Sequence, residues 1–224
     1  MIDDIVKEEE IHKGAEASLF YGHWFGKEVI FKQRIPKSYR IPQIDMKIRK
    51  TRTMSEARAL IKVKKYGINV PQVYDIDSDR ATIIMKFIKG TKLRDILNDL
   101  DDATLLKYMK TLGFLIAKLH INGHVHGDIT TSNILITENE DIFIIDFGLH
   151  EYSDTIEDKS VDLHLFKKVL ISSHGDKAEI CFNAFLDGYR SLYAHSAQKE
   201  CNQIIKNIQI VETRGRYVKR EDRS

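Results

Sequence analysis

What this sequence lacks already excludes most classes. Two cysteines, Cys181 and Cys201, are too few for a disulfide framework or a cysteine-built zinc site. Both lie in a helix-like region, where a small buried thiol is the plain expectation, and a reducing, cytoplasmic compartment follows as the default. Three prolines and 12 glycines in 224 residues exclude a low-complexity linker and a collagen-like repeat. Apolar runs last only a few residues, short of the ~20 that a membrane helix needs, so no membrane partner is expected. The start, Met1-Ile2-Asp3-Asp4, is acidic and has no apolar core, so no secretory signal is expected there. Charge of one sign is also missing: 35 Lys+Arg stand against 33 Asp+Glu, a net +2 that excludes a generic polycation. With 42% hydrophobic and 30% charged residues, the chain is ordinary globular material. Its length suits one large domain or two small lobes around a cleft.

The small net charge conceals strong asymmetry. Residues 37–52 hold Lys37, Arg40, Lys47, Arg49, Lys50 and Arg52 against Asp45 alone, a net +5. Residues 137–158 hold eight acids and neither Lys nor Arg. Residues 213–224 return to a net +3. Each run is either a solvated face or a surface for a distinct partner.

The patterning divides the chain. Residues 1–35 read as short strands, with β-favouring runs at Leu19-Phe20-Tyr21 and Val29-Ile30-Phe31. Thr53-Met54-Ser55-Glu56 has the form of a capping box, so a helix is expected to begin there and to stop near Gly67. Strands are expected at 70–74 and 81–88. Beyond Gly90 the period changes: Leu105, Met109, Leu112, Ile116 and Leu119 form one helical stripe. Two short strands follow at 134–137 and 142–146, and helical spacing returns over 159–208. A mostly β N-terminal lobe, 1–87, joined to a mostly α lobe, 88–212, with a basic tail, 213–224, is the simplest α+β architecture.

Chemistry concentrates between 126 and 148: His126-Gly127-Asp128, then Asn133, then Asp146-Phe147-Gly148. A strand–turn–strand hairpin is expected to bring these polar groups to one end. Asn133 and Asp146 offer two oxygen ligands, a set that suits Mg²⁺ completed by water and phosphate. Asp128 is placed to accept or orient the proton of an attacking hydroxyl. Any one aspartate alone is as well read as a turn former. All of them at this spacing resemble the D-x-x-x-x-N … D-F-G pattern of the protein kinases.

That resemblance implies a two-lobed protein-kinase-like fold and further residues upstream. Lys32, closing Val29-Ile30-Phe31-Lys32, resembles the lysine that pairs with the α/β-phosphates of ATP; otherwise it is an exposed strand lysine. Glu56 resembles its helix partner, in competition with the capping role. The phosphate-covering loop falls at His12–Ala17, with Lys13, Gly14, Ala15, Glu16 and Ala17 as ATP-binding positions, although one glycine stands where typical kinases have three. Ile30, the gatekeeper Met85, and the backbones of Lys86 and Ile88 complete the nucleotide pocket. Leu135 packs under the base or is a plain core leucine. Asp162 resembles the aspartate that props the catalytic loop, or is a helix-start acid.

The departures narrow the family. Gly127 replaces the usual arginine that reads a phosphorylated activation loop, and no A-P-E element follows Gly148. Only 76 residues remain after Gly148, leaving no room for the usual peptide platform. The chain resembles the small atypical kinases: the RIO-like group and, more closely, the Bud-type/PRPK kinases of the EKC/KEOPS complex. The matching residues are Gly14-Ala15-Glu16-Ala17, His126-Gly127-Asp128-Ile129-Thr130-Thr131-Ser132-Asn133, Asp146-Phe147-Gly148-Leu149, Glu157–Leu163 and the tail with Arg214-Gly215-Arg216. Lys86 departs from the acid more usual at that hinge.

The resemblance implies a serine/threonine kinase or ATPase that holds Mg-ATP between its lobes, with Asp128, Lys32 and Glu56 as catalytic residues. It implies a threonylcarbamoyl-transferase and other KEOPS subunits as partners, in threonylcarbamoyladenosine modification of tRNA. Contact with tRNA through 37–52 and 213–224 stands beside the solvated-face reading. Three alternatives accompany it: a RIO-type kinase of ribosome maturation, an aminoglycoside-type phosphotransferase and a pseudokinase scaffold. The intact set Lys32, Glu56, Asp128, Asn133 and Asp146 argues against the scaffold.

Overall fold

A computed structural model describes residues 5–193 and 198–221, with side chains described as far as Arg214 in the last helix. The chain forms two compact units. One runs to Lys89 and takes in Ile145–Gly148; the other comprises Gly90–Ile144 and the chain from Leu149 onward.

The first unit is a five-stranded antiparallel sheet with one long helix. Its strands are β1 (Ile5–Lys13), β2 (Ala17–Trp24), β3 (Lys27–Arg34), β4 (Val73–Asp77) and β5 (Thr82–Lys86), in the order β1-β2-β3-β5-β4. Trp24 pairs with Lys27 across a two-residue turn whose Phe25 and Gly26 both have positive φ, the turn that matches strand twist. Val29, Phe31 and Ile84 form the core of one face, covered by Phe20, Trp24 and Tyr74. On β3 the even-numbered side chains Ile30, Lys32 and Arg34 point to the other face, because strand side chains alternate.

Helix α1 (Pro42–Lys65) corrects an expectation. It begins at Pro42, where a fixed φ and a missing N–H suit the first turn, and not at the Thr53 capping box. The residues from 43 onward are mostly good helix formers, and Asp45 and Arg49 form an i,i+4 pair at 2.7 Å, so the helix has no reason to wait. Thr53 lies mid-helix and donates its Oγ1 hydrogen to the Ala81 carbonyl at 3.3 Å. Glu56 is therefore free of capping duty. Much of the basic stretch 37–52 is helix.

The second unit contains β6 (Thr91–Lys92), α2 (Leu93–Ile96), α3 (Asp102–Ile121), β7 (His124–Val125), β8 (Ile134–Ile136), β9 (Ile142–Ile144), β10 (Glu151–Tyr152), α4 (Ile156–His174), α5 (Ala178–Leu192) and α6 (Gln198–Glu221). Asp101 caps α3 through the Thr104 N–H, and Thr155 caps α4 through the Asp158 N–H. The predicted stripe of α3 is fully buried. Helices α3 and α5 approach closely at two glycines: a Cβ on Gly113 would lie 1.9 Å from the Phe185 carbonyl oxygen, and one on Gly188 would lie 1.8 Å from that of Lys110. Cys181 and Cys201 are buried reduced thiols, and burial pushes the Cys181 thiol up to about 11. The α+β class expected from patterning is observed, with strand ends displaced by one to three residues. No helix among the described residues is long and apolar enough to cross a membrane.

Candidate active site

In the first unit, strand periodicity builds an ion network. Lys32 and Arg34, two apart on β3, reach the same carboxylate on α1. Lys32 Nζ donates to Glu56 Oε1 at 2.6 Å, and Arg34 Nη2 donates to Glu56 Oε2 at 2.7 Å. Lys32 Nζ also donates to Asp146 Oδ1 at 2.6 Å. The side chains of Lys32, Arg34 and Glu56 are 7%, 4% and 2% exposed, so their charges meet with little water between them. Burial alone would lower the Lys32 pKa, but the Glu56 and Asp146 carboxylates raise it, so Lys32 is held as an ammonium. Asp146 itself keeps 46% of its side chain exposed. Its φ of 62° is left-handed, and its Oδ1 also accepts the Gly148 N–H at 3.1 Å.

The sequence reading named Lys32, Glu56 and Asp146 but missed Arg34. Its signal was present: a second basic residue two places after Lys32 must share its face. Glu16 also points into this network. Arg52 Nη1 donates to Glu16 Oε1 at 2.5 Å, and Arg34 Nη1 donates to Oε2 at 3.4 Å. Around it the loop is tied down by backbone bonds, with Gly14 N–H donating to Ala17 O at 2.9 Å and Ile35 N–H donating to Glu16 O at 3.2 Å. Lys37 Nζ donates to the Ala15 carbonyl. Lys13 is exposed at the end of β1.

The hinge positions lie on and after β5. Met85 is half-buried opposite the buried Ile30. Lys86 is exposed, with its N–H given to Gln72 O at 2.8 Å, and Ile88 is buried.

In the second unit, the segment 126–133 is shaped by a buried carboxylate. Asp162, on α4, accepts the His126 N–H at 2.8 Å and the Gly127 N–H at 2.9 Å. His120 Nε2 bonds the same carboxylate at 3.1 Å, and its Nδ1 meets Tyr189 Oη at 2.9 Å. Burial alone would raise the Asp162 pKa, but the bond from His120, the nearby histidines and the backbone donor hold it below the usual carboxylate range. Of the two readings, loop prop and helix-start acid, the geometry selects the prop.

Gly127 turns with φ 79°, and a Cβ there would lie 2.3 Å from the Leu149 carbonyl oxygen. The position therefore admits neither an arginine nor any other side chain without rearrangement.

The turn presents Asp128 to Asn133. Asn133 Nδ2 donates to Asp128 Oδ2 at 3.0 Å and to Asp128 O at 2.9 Å, while Asp128 N–H is given to His126 Nδ1 at 3.2 Å. The Asn133 NH₂ is thus spent on Asp128. The Asn133 amide oxygen and, in the other unit, the Asp146 carboxylate are hard oxygen donors, the donor type that a divalent ion such as Mg²⁺ takes. In the β8–β9 ladder Ile134 pairs with Ile144, so the chain enters β8 from Asn133 at the end where it leaves β9. Leu135 is half-buried on β8.

Beside the loop, His124 Nδ1 and His150 Nε2 lie 2.7 Å apart, and Tyr152 pairs with His124 across β7 and β10. Burial, and then the neighbouring His124 and His126, push the His150 pKa down to about 4.

The basic run 37–52 is largely spent within the chain. Arg40 and Arg49 face Asp45, Lys50 faces Asp79, and Arg52 faces Glu16. From the acidic run, Glu140 pairs with Lys107 and Glu157 with Arg214. The remaining tail positions, 215–224, including Arg216 and Tyr217, lie outside the described side chains.

The chain is similar to known proteins. The family model of the RIO domain matches residues 31–155, a span that takes in Lys32, Glu56, Asp128, Asn133 and Asp146. The chain belongs to the RIO-domain, kinase-like family. Across almost its whole length it is also 41% identical to the KEOPS complex subunit Bud32 of Pyrococcus abyssi, over 94% of this chain and 96% of that protein. It thus belongs to the Bud32 family within that class. It is 42% identical to a probable bifunctional tRNA threonylcarbamoyladenosine biosynthesis protein of Methanosphaera stadtmanae, over 97% of this chain but 38% of the relative. A protein of the same name from Methanocaldococcus jannaschii is 39% identical over 95% of this chain and again 38% of its own length. The chain therefore spans little more than a third of those bifunctional relatives.

Proposed function

We propose that this protein binds Mg-ATP and transfers or hydrolyses its terminal phosphoryl group in support of tRNA threonylcarbamoyladenosine formation. One observation carries the reading: Lys32 Nζ sits 2.6 Å from both Glu56 and Asp146, a phosphate-binding lysine oriented by one acid and placed beside a metal-ligand acid. Residues 1–87 supply the phosphate loop, Lys32 and the hinge residues Met85, Lys86 and Ile88. Residues 88–212 supply Asp128, Asn133 and Leu135.

Each group has a distinct task. Lys32 pairs with the α- and β-phosphates, and Glu56 keeps its ammonium in place. Asn133 and Asp146 hold Mg²⁺, which when bound neutralises charge on the phosphate oxygens. Asp128, fixed by Asn133, orients the attacking hydroxyl or water and takes its proton. Asp162 fixes the loop that carries Asp128.

The KEOPS setting comes from the relatives. One is a KEOPS subunit, and others carry the homologous segment within a longer bifunctional biosynthesis protein. A threonylcarbamoyl-transferase subunit is thus the proposed partner. Contact with tRNA falls to the tail 213–224 and to solvent-facing cations of 37–52, because the buried Arg49 is committed to Asp45.

The test is Mg-dependent ATP hydrolysis, alone and with the transferase and tRNA, for wild type and Asp146→Ala. The expected result is activity in wild type, enhanced by the partners, and its loss in the variant. Equal rates in the two proteins would sink the metal-dependent reading.

A further inference from the structure

We propose that Arg34 and Arg52 are positioning residues for the phosphate loop, acting through Glu16. The proposal rests on the Mg-ATP reading and adds how the loop is held. A loop with one glycine has less freedom to fold around phosphates than one with three. Its central side chain, Glu16, is an acid, which would repel phosphate if it pointed at it. In the structure it points into the basic residues of β3 and α1.

The geometry forms a bridge. The Arg34 guanidinium gives one nitrogen, Nη2, to Glu56 Oε2 at 2.7 Å and the other, Nη1, to Glu16 Oε2 at 3.4 Å. Arg52, four residues before Glu56 on α1 and hence on its face, closes the second Glu16 oxygen at 2.5 Å. Arg40 and Arg49, also near, are directed to Asp45 at 3.5 Å and 2.7 Å, and Lys37 holds the neighbouring Ala15 carbonyl. The bond from Arg52, assisted by the charges of Arg52 and Arg34, keeps Glu16 ionised against the opposing effect of its partial burial.

Glu16 and Glu56 thus share Arg34, so the loop and the glutamate that orients Lys32 are held by one cation. Charge pairing, in place of the backbone freedom that extra glycines give, sets where the loop sits.

The test compares Glu16→Gln, Arg52→Gln, the double variant and Arg52→Lys, with Asp146→Ala as the control for chemistry. Two readings are taken: KM against kcat for ATP, and deuterium exchange at the amides of residues 14–17. Each single Gln variant is expected to raise KM for ATP by about two- to fivefold, the scale of exposed ion pairs, with the rise in KM exceeding any fall in kcat. Exchange at the loop amides quickens while that of α1 does not. The double variant matches Glu16→Gln, because Arg52 acts through Glu16 and Arg34 still holds Glu16 in Arg52→Gln, and Arg52→Lys restores most of the effect. Additive effects, or unchanged loop exchange in Glu16→Gln, would overturn the proposal. Loss of hydrolysis is not needed for the exchange reading. If Asp146→Ala hydrolyses ATP like wild type, the Mg-ATP reading falls, and the exchange result still decides whether the bridge through Glu16 holds the loop.

Discussion

Asp162 offers the sharpest quantitative test of how this fold positions its chemistry. Its carboxylate is 1% exposed and accepts two backbone N–H groups, from His126 and Gly127, with His120 as a third partner. Replacing it by asparagine keeps the shape but leaves one oxygen. The amide NH₂ faces a donor, so one buried N–H loses its acceptor at a cost of about 1–3 kcal/mol. The bonds that remain change from charge-assisted to neutral, roughly halving their strength. Asp162→Asn should therefore cost about 2–4 kcal/mol, and Asp162→Ala about 3–5 kcal/mol, the usual range for breaking a buried charged network. The assay is urea denaturation at neutral pH, combined with hydrogen exchange at the amides of residues 126–128. Exchange at those amides should rise more than elsewhere. Asp162→Asn within about 0.5 kcal/mol of wild type, with unchanged exchange there, would refute the idea that this carboxylate shapes the loop. The carboxylate pKa is depressed in the folded state, so its contribution is present above the unfolded value near 3.9 and is lost as pH falls through the lower folded value.

Other expectations follow from the same contacts. Gly188→Ala removes a poor helix former, which alone would favour α5 by about 1 kcal/mol. The new Cβ would meet the Lys110 carbonyl oxygen at 1.8 Å, so the net effect should be a destabilisation of about 1–3 kcal/mol, read by thermal unfolding; a stabilised variant would contradict the close helix contact. Glu56→Gln takes the shared anion from Lys32 and Arg34, both buried, and should cost about 3–5 kcal/mol and lower the Lys32 pKa, followed by NMR of the Nζ resonance; an unchanged Lys32 titration would show that Glu56 does not hold it. His150 is held neutral in the fold, with its pKa pushed down to about 4 from the usual ~6.5. Its contribution is complete above pH ~6.5 and declines as pH falls towards about 4, when the unfolded chain takes up the proton first. His150→Phe should flatten the acid limb of the stability–pH curve over that window, and an unaltered slope would assign the limb to other groups.

The contrast between what was legible and what was not has physical causes. The α3 stripe was readable because five apolar side chains recur at helical spacing, and all five are buried. The start of α1 was misread. Thr53-Met54-Ser55-Glu56 satisfies a local capping pattern, but a good-propensity run opened by Pro42 carries the helix through it. A capping box is a possible helix start, and the chain upstream decides whether it is used.

The sequence by itself determined the α+β class, the residues that carry charge and the hard oxygen donors, and the family they define. Those follow from residue type and spacing, which are properties of the chain. Only the tertiary structure decided that Arg34 shares Glu56 with Lys32, that Glu16 faces Arg52 and that Asp162 holds the backbone of His126 and Gly127. Each of these joins residues 22 or more positions apart. Such pairs depend on which strand face meets which helix face, and local periodicity does not encode that. Gly127 shows both levels at once: the sequence displays the missing arginine, and the fold supplies the reason, a backbone turned left-handed against the Leu149 carbonyl.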